Sequence, residues 1–288
     1  MDFSFTPEQE DLRREARAFL EANPSPSLEQ LAELGWVGIL ENRDSEDSDF
    51  TFLDAAVLFE ELGRVLYDGP YVLNEIAAQP GDDVWSIEID GFVPHLEQVT
   101  RVLTADMQSA GASGETVATV DESLGLGRLS RNGTDPVEGS WDDVRRRVLA
   151  AFALEAVGIG SKVTGMALEY AGGREQFGRK IGSYQAISHS LVDAYVAVEL
   201  ARSLAYWAAW CVAENDEQVD MAVAAAKSQA TEAAVLACEK SIQAHGGIGF
   251  TWEHPLHRYY KRALWLESAL GYGREHRAQI ADNLLPQG

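Results

Sequence analysis

The chain of 288 residues is 46% hydrophobic and carries 46 acidic against 23 basic side chains, a formal net charge of −23. This length and apolar content exclude a disordered or fibrous chain and predict a globular protein with a sizeable core. The negative charge argues against nucleic acid and anionic membrane surfaces as partners, because both would repel it. An anionic small molecule needs only a local positive patch.

The cysteines and the N-terminal segment bear on the compartment. Cys211 and Cys238 lie among Ala and Val without zinc-site spacing, so we interpret them as reduced core residues. The N-terminal segment has neither a basic nor an apolar signal region, and we find no window approaching the ~18 apolar residues of a membrane span. We therefore expect a cytoplasmic protein with no membrane contact and no metal site.

Residues 1–75 are predicted to form a helical N-terminal domain. Thr6 is suited to cap the first helix, and Gln9 stands where a capping box needs it. Apolar residues recur at helical spacing after this cap and in two later segments, residues 28–34 and 51–67.

Residues 76–140 are predicted to form a small, reduced β domain. The runs "VWSIEIDGFV", "RVLTAD" and "ETVATVD" alternate with a period near two, and Gly, Asp and Ser clusters separate them. Asn132-Gly133 is a hairpin-turn signal. This region contains no Gly-rich phosphate loop and no catalytic constellation.

Residues 141–288 are predicted to form a four-helix bundle. Small residues along the helices favour close antiparallel packing, and Gly172-Gly173 should end the first helix. The four predicted helices span residues 141–171, 184–213, 221–245 and 255–270.

Two short segments interrupt this bundle and carry chemistry. Residues 172–186 concentrate Arg174, Arg179 and Lys180, and an Arg beside Gly-rich backbone can clamp a phosphate. Residues 243–250, "QAHGGIGF", contain glycines that let backbone N–H groups approach an anionic ligand. On composition alone, the favoured interpretation of both segments is connecting turns with ordinary surface charges, since Gly-rich turns are common.

A family resemblance bears on that choice. "REQFGRKIGSYQA", followed by "QAHGGIGFTWEHPLHRYYKRA", resembles the C-terminal domain of the acyl-CoA dehydrogenase family, and the opening "FTPEQEDLRREARAFLE" is similar to that family's first helix. The resemblance implies a mostly α fold with a small β domain between the N-terminal helical domain and a C-terminal four-helix bundle. It is specific in the bundle and nearly absent in the middle.

The resemblance implies FAD as cofactor, bound across a subunit boundary. Family members use these two segments to contact the ADP half of the FAD held by the neighbouring subunit. Carried over by position, Arg174 meets the pyrophosphate and Phe177 packs beside the adenosine part. Gln243, Gly246 and Gly247 contact the pyrophosphate or ribose. Gln185 is a weaker candidate for a contact at the same site.

The catalytic base is missing from both positions that the family uses. Family enzymes remove the α-proton of an acyl thioester with a Glu while the β-hydride passes to the flavin. Alignment without gaps places Leu270 at the usual position and Val148 at the alternative one, and neither side chain can accept a proton. The β region also lacks the family's aromatic-Thr-Glu-Pro and Gly-Ser-Asp runs, which cradle the flavin ring and substrate.

With these departures, the chain resembles the smaller, degenerate subunit of heteromeric α2β2 acyl-CoA dehydrogenases. Such assemblies are known from actinobacterial enzymes that oxidise steroid-CoA side chains. The resemblance implies a chain that is inactive alone. Its partner, a second acyl-CoA dehydrogenase-like subunit, supplies the Glu for α,β-desaturation of an acyl-CoA.

Two alternatives remain open at the level of sequence. One is a homomeric acyl-CoA dehydrogenase with a displaced base, Glu267 or Glu155. The favoured interpretation of Glu267 is a solvated helix carboxylate, and that of Glu155 is an ion pair or polar contact with a neighbouring subunit. The other is a non-enzymatic scaffold without cofactor. The histidines of the second segment, His245, His254 and His257, are interpreted as hydrogen-bonded structural residues rather than metal ligands.

Overall fold

The computed structural model describes residues 5–40 and 50–285, and it begins with helices. The capping box at Thr6 is confirmed, because its side chain accepts from the Gln9 amide while the Gln9 side chain accepts from the Thr6 amide. A fourth helix, not predicted, follows the three expected ones. The helices are α1 (Pro7–Ala22), α2 (Leu28–Glu33), α3 (Phe52–Val65) and α4 (Tyr71–Ala77).

Six short strands follow. They are β1 (Trp85–Ile87), β2 (Arg101–Leu103), β3 (Gln108–Gly111), β4 (Gly114–Thr116), β5 (Gly127–Leu129) and β6 (Thr134–Pro136). One sheet has the order β1-β2-β3-β6, with β1 and β2 parallel and the other pairs antiparallel, while β4 and β5 form a separate ribbon. The hairpin predicted at Asn132-Gly133 is wrong, because β5 and β6 on either side of it pair with different strands. A tight turn forms instead at Asp90-Gly91, both with positive φ, beside the Ile89–Phe92 bridge.

The C-terminal bundle contains the four predicted helices and one more. These are α5 (Trp141–Gly173), α6 (Gln185–Ala213), α7 (Val219–His245), α8 (Leu256–Ser268) and α9 (Gly273–Leu284), with a two-stranded hairpin, β7 (Glu175–Gln176) and β8 (Arg179–Lys180), between α5 and α6. Helix α9 packs on α7 and was missed because its sequence, "GREHRAQIADNL", has few apolar residues. The Gly172-Gly173 pair belongs to the last turn of α5 instead of ending it earlier.

The core runs continuously from the N-terminal helices into the bundle and includes both cysteines. Helices α3 and α5 cross where each has a glycine. A Cβ on Gly63 would stand 2.3 Å from the Glu155 carbonyl oxygen, and one on Gly158 would stand 2.1 Å from that of Glu60. Because no side chain fits there, these glycines set how closely the N-terminal helices dock on the bundle.

Two bundle helices are long and apolar enough to cross a membrane by length and composition, so the expectation that no window approaches a span was wrong. Their 18-residue windows have mean hydropathies of 1.4 in α5 and 1.2 in α6. The α5 window is 83% buried inside the protein, as a core helix is, but the α6 window is only 39% buried. Helix α6 therefore presents an apolar face that residues 5–40 and 50–285 leave uncovered.

Candidate cofactor-binding site

The two segments singled out in the sequence meet at one end of the bundle. Ala244 of the second packs in a small apolar cluster with Ile181 and Tyr184 of the first. The ring of Tyr170, near the end of α5, stacks on His245 with centroids 4.4 Å apart and planes inclined by 23°. The end of α5, the start of α6 and the end of α7 thus bring both segments to one surface.

The hairpin β7–β8 projects an aromatic ring from this surface. Its two turn residues, Phe177 and Gly178, have φ angles of 53° and 78°, as a two-residue type I′ turn requires. Phe177 holds this left-handed conformation at the cost that a Cβ imposes there. Its side chain is 94% exposed. The ring is therefore left uncovered by the part of the chain that the structure describes and is open to a contact from elsewhere.

Basic side chains surround the hairpin. Arg174 is the C-cap residue of α5 and is exposed, and among the residues that the structure describes no carboxylate pairs with its guanidinium. The Arg179 guanidinium lies over the Tyr184 ring, 3.8 Å from its centroid. Arg174 is therefore available to an anion such as a phosphate.

The glycines of the second segment differ in their roles. Gly246 has φ 64° and ψ −137°, a conformation open essentially to glycine alone. A Cβ on Gly247 would meet nothing within 4 Å, whereas one on Gly249 would stand 2.6 Å from the Ile242 carbonyl oxygen. Gly249 thus serves packing inside the chain, while Gly246 and Gly247 leave main-chain groups open to a ligand.

These residues form a set, here called the cradle, comprising Arg174, Phe177, Gln185, Gln243, Gly246 and Gly247. Both glutamines are exposed. An unpaired guanidinium, an exposed aromatic ring and open glycine backbone suit the pyrophosphate and adenosine of a dinucleotide. The residues present therefore fit the ADP half of FAD.

The turn between α8 and α9 carries Leu270, the residue that the family resemblance aligns with the catalytic base. Leu270 has φ 59°, and its amide donates to the Asp90 carboxylate over 2.8 Å. From the other side, the buried Lys227 ammonium donates to the Gly271 carbonyl over 3.3 Å. Burial lowers the pKa of Lys227 to about 8. The turn is held at both ends, and the side chain that it presents cannot take a proton.

The alternative base position and one displaced candidate lie in the core. Val148 is fully buried in α5. Glu155 accepts a 2.6 Å hydrogen bond from Arg262, whose guanidinium also donates to Asp121 over 2.7 Å and to Ser123 over 2.9 Å. Burial acts to raise the pKa of Asp121, but Arg262 and Ser123 hold it below its ordinary value. Glu155 is thus bound in an ion pair inside this chain, whereas the sequence predicts an ion pair or polar contact with a neighbouring subunit.

Little space remains beside this ion-pair cluster of Arg262, Glu155 and Asp121. The adjoining cavity, lined by Phe152 and Trp265 among others, measures about 30 Å³. Such a volume holds a water molecule or two and no acyl chain. The other candidate, Glu267, is partly exposed at the end of α8, and burial, together with Glu232, raises its pKa.

Sequence reasoning missed Lys227 and Arg262. A weak signal existed for each. Lys227 interrupts the apolar run "MAVAAAKSQATEAA", and Arg262 falls at helical spacing among the buried Tyr259, Ala263 and Leu266. No group of three or more His, Cys, Asp or Glu residues that could hold a metal ion occurs within residues 5–40 and 50–285.

Comparison with known proteins identifies the family. The family profile described as "Acyl-CoA dehydrogenase, C-terminal domain" matches residues 146–285. The chain is 34% identical over 234 residues to acyl-CoA dehydrogenase IpdE2 of Mycobacterium tuberculosis, covering 73% of this chain and 71% of that protein. It is 30% identical over 248 residues to IpdE2 of Mycolicibacterium smegmatis, covering 79% and 77% of the two chains.

Solved structures agree on the fold. The crystal structure of the ChsE4-ChsE5 complex from M. tuberculosis contains a chain that superposes with a TM-score of 0.85 and 24% identity, with all of both chains covered. The Tcur3481-Tcur3483 steroid ACAD G363A variant superposes with a TM-score of 0.80 and 21% identity over 96% of this chain and 97% of that chain. The predicted architecture, mostly α with a small β domain, is confirmed. The chain belongs to the acyl-CoA dehydrogenase family, and its cofactor is FAD.

Proposed function

We propose that this chain is the non-catalytic subunit of a heteromeric FAD-dependent acyl-CoA dehydrogenase. Its cradle contacts the adenosine and pyrophosphate of an FAD that the partner subunit holds, and the partner supplies the Glu. One observation carries the proposal: the chain keeps an outward-facing cradle around Arg174 and Phe177, while its base position holds Leu270 in a fixed turn.

The reaction is α,β-desaturation of an acyl-CoA thioester. FAD, when bound, accepts the hydride from the β-carbon of the substrate. The residues of this chain bind and orient: Arg174 neutralises phosphate charge, Phe177 packs on the adenosine, and the Gly246–Gly247 backbone fixes the pyrophosphate. A steroid side chain as the acyl group is supported by the steroid ACAD with the same fold.

The exposed face of α6 supports a protein partner. Val192, Val196 and Leu200 lie about two, three and four turns after Gln185, so they follow that cradle residue along one face of the helix. Their side chains are 53%, 46% and 60% exposed. Contiguous exposed apolar residues mark interaction surfaces. We name this row the α6 stripe, and we propose that the partner covers cradle and stripe together in an α2β2 assembly.

Co-expression with a second acyl-CoA dehydrogenase-like chain encoded beside this one tests the proposal. FAD absorbance against protein mass should give one FAD for each pair of unlike chains, and only the complex should reduce dye with acyl-CoA. The lone chain should be poor in flavin. A lone chain with a full complement of FAD and acyl-CoA-dependent turnover would instead establish the homomeric alternative.

A further inference from the structure

Two histidines flank, in sequence, the turn that carries Gly246 and Gly247. His245 ends α7 and is 5% exposed, and His254 follows the turn. Their ring centroids lie 4.4 Å apart, with planes inclined by 57°. The Tyr170 ring covers the other face of His245. The 3-10 turn Gly246–Phe250 therefore follows His245 directly, and the chain returns to the His245 ring at His254, four residues after the turn ends.

Hydrogen bonds fix the proton assignment at Nδ1 of each ring. His245 Nδ1 lies 2.7 Å from the Ser241 carbonyl oxygen, and since a carbonyl only accepts, this nitrogen carries the proton. His254 Nδ1 accepts from the Leu256 amide over 3.3 Å, so this nitrogen carries none. Protonation of His254 at Nδ1 would break this hydrogen bond, because the new N–H would face the N–H of the Leu256 amide.

The surroundings also oppose a positive charge on His254. Burial lowers its pKa, and His245 and His257 lower it further. The ring directly precedes α8, whose N-terminus carries a positive partial charge, and the Lys261 ammonium lies 4.6 Å from the centroid of the Trp252 ring that meets His257 edge-on. Glu253 and Arg258 of the same segment are exposed, where solvent screens their charges.

We propose, resting on the FAD cradle proposed above, that His254, packed on the His245 ring, is a positioning residue that holds the Gly246–Phe250 turn in its cofactor-binding form only while the His254 ring is neutral. The folded pKa of His254 lies below its unfolded value of about 6.5. The stabilisation from neutral His254 is therefore complete above about pH 6.5 and is lost as pH falls towards the folded pKa. Acidification loosens the turn, and FAD dissociates.

FAD retention by the co-expressed complex tests this from about pH 8 to about pH 5, where histidine titrates. Wild type should lose FAD below about pH 6.5 and rebind it on neutralisation. His254→Asn should bind FAD at neutral pH, because the asparagine amide oxygen can accept from the Leu256 amide. At acid pH this variant should lose much less FAD than wild type does. His276→Gln is the matched control: burial lowers the pKa of His276 to about 4, so it is neutral across the range and its removal should leave the wild-type profile.

Hydrogen exchange of the Gly246–Phe250 amides, corrected for the intrinsic effect of pH, gives a second measurement that needs no FAD. Protection should fall on acidification in wild type and hold in His254→Asn. The inference is overturned if both proteins show the same acid profile, or if FAD binds more tightly in acid. A complex without FAD at neutral pH would sink the proposed function instead, and the exchange experiment would still decide the role of His254.

Discussion

At the scale of single residues, the cradle depends most on the Arg174 guanidinium. Arg174→Ala should raise the dissociation constant of FAD from the complex by about 10- to 150-fold, the usual effect of losing a charge-assisted hydrogen bond. Equilibrium dialysis against FAD measures it. Arg14→Ala, which removes an exposed arginine paired with Asp11 on α1, is the control and should leave FAD affinity unchanged.

Gly247→Val extends this test to the backbone. The space around Gly247 is open within this chain, so the variant should fold normally, and weaker FAD retention would then come from obstruction of the ligand itself. Unchanged FAD affinity in both Arg174→Ala and Gly247→Val would refute the cross-subunit cradle.

At the scale of elements, the α8–α9 turn is where this chain is proposed to differ in chemistry from its partner. Glu267→Gln here should leave turnover of the complex nearly unchanged, because Gln keeps the shape and removes only the capacity to take a proton. The corresponding Glu→Gln in the partner should lower kcat by about 10²–10⁴-fold. Leu270→Glu should create no activity, since the β unit lacks the runs that cradle the flavin ring and substrate in the family. Steady-state dye reduction measures all three, and a large loss of kcat in Glu267→Gln with FAD retained would favour a displaced base.

The elements also show how far sequence reasoning reaches. Helices α5 to α8 and the Thr6 cap could be predicted because periodicity and capping are local properties. The pairing of β3 with β6 could not, since it joins strands distant in sequence. The cradle residues were named through family motifs. The bond between Arg262 and Asp121, 141 residues apart, exists only once the β unit has docked on the bundle.

At the scale of the whole molecule, the α6 stripe should decide assembly. Val196→Asp places a charge where the partner is proposed to sit, and we expect the complex to weaken by at least about 100-fold, because an unpaired charge would be buried there. Size-exclusion chromatography with light scattering measures it, and circular dichroism should show an intact fold. Val120→Asp, at a 72% exposed valine in the β unit, is the control and should assemble normally. A complex that survives Val196→Asp would place the interface elsewhere, and self-association of the lone chain would make the stripe a contact between like chains.

The ion-pair cluster at Arg262 has a consequence for motion. It ties α8 to α5 through Glu155, to the β unit through Asp121, and to the segment after α3 through the Tyr67 carbonyl. Moving these parts away from one another would leave buried charges without partners. Breaking one buried ion pair in this way costs about 3–5 kcal/mol of free energy. We therefore expect this subunit to stay rigid through the catalytic cycle. The opening that admits substrate and releases product should then occur in the partner, moving against a stationary neighbour.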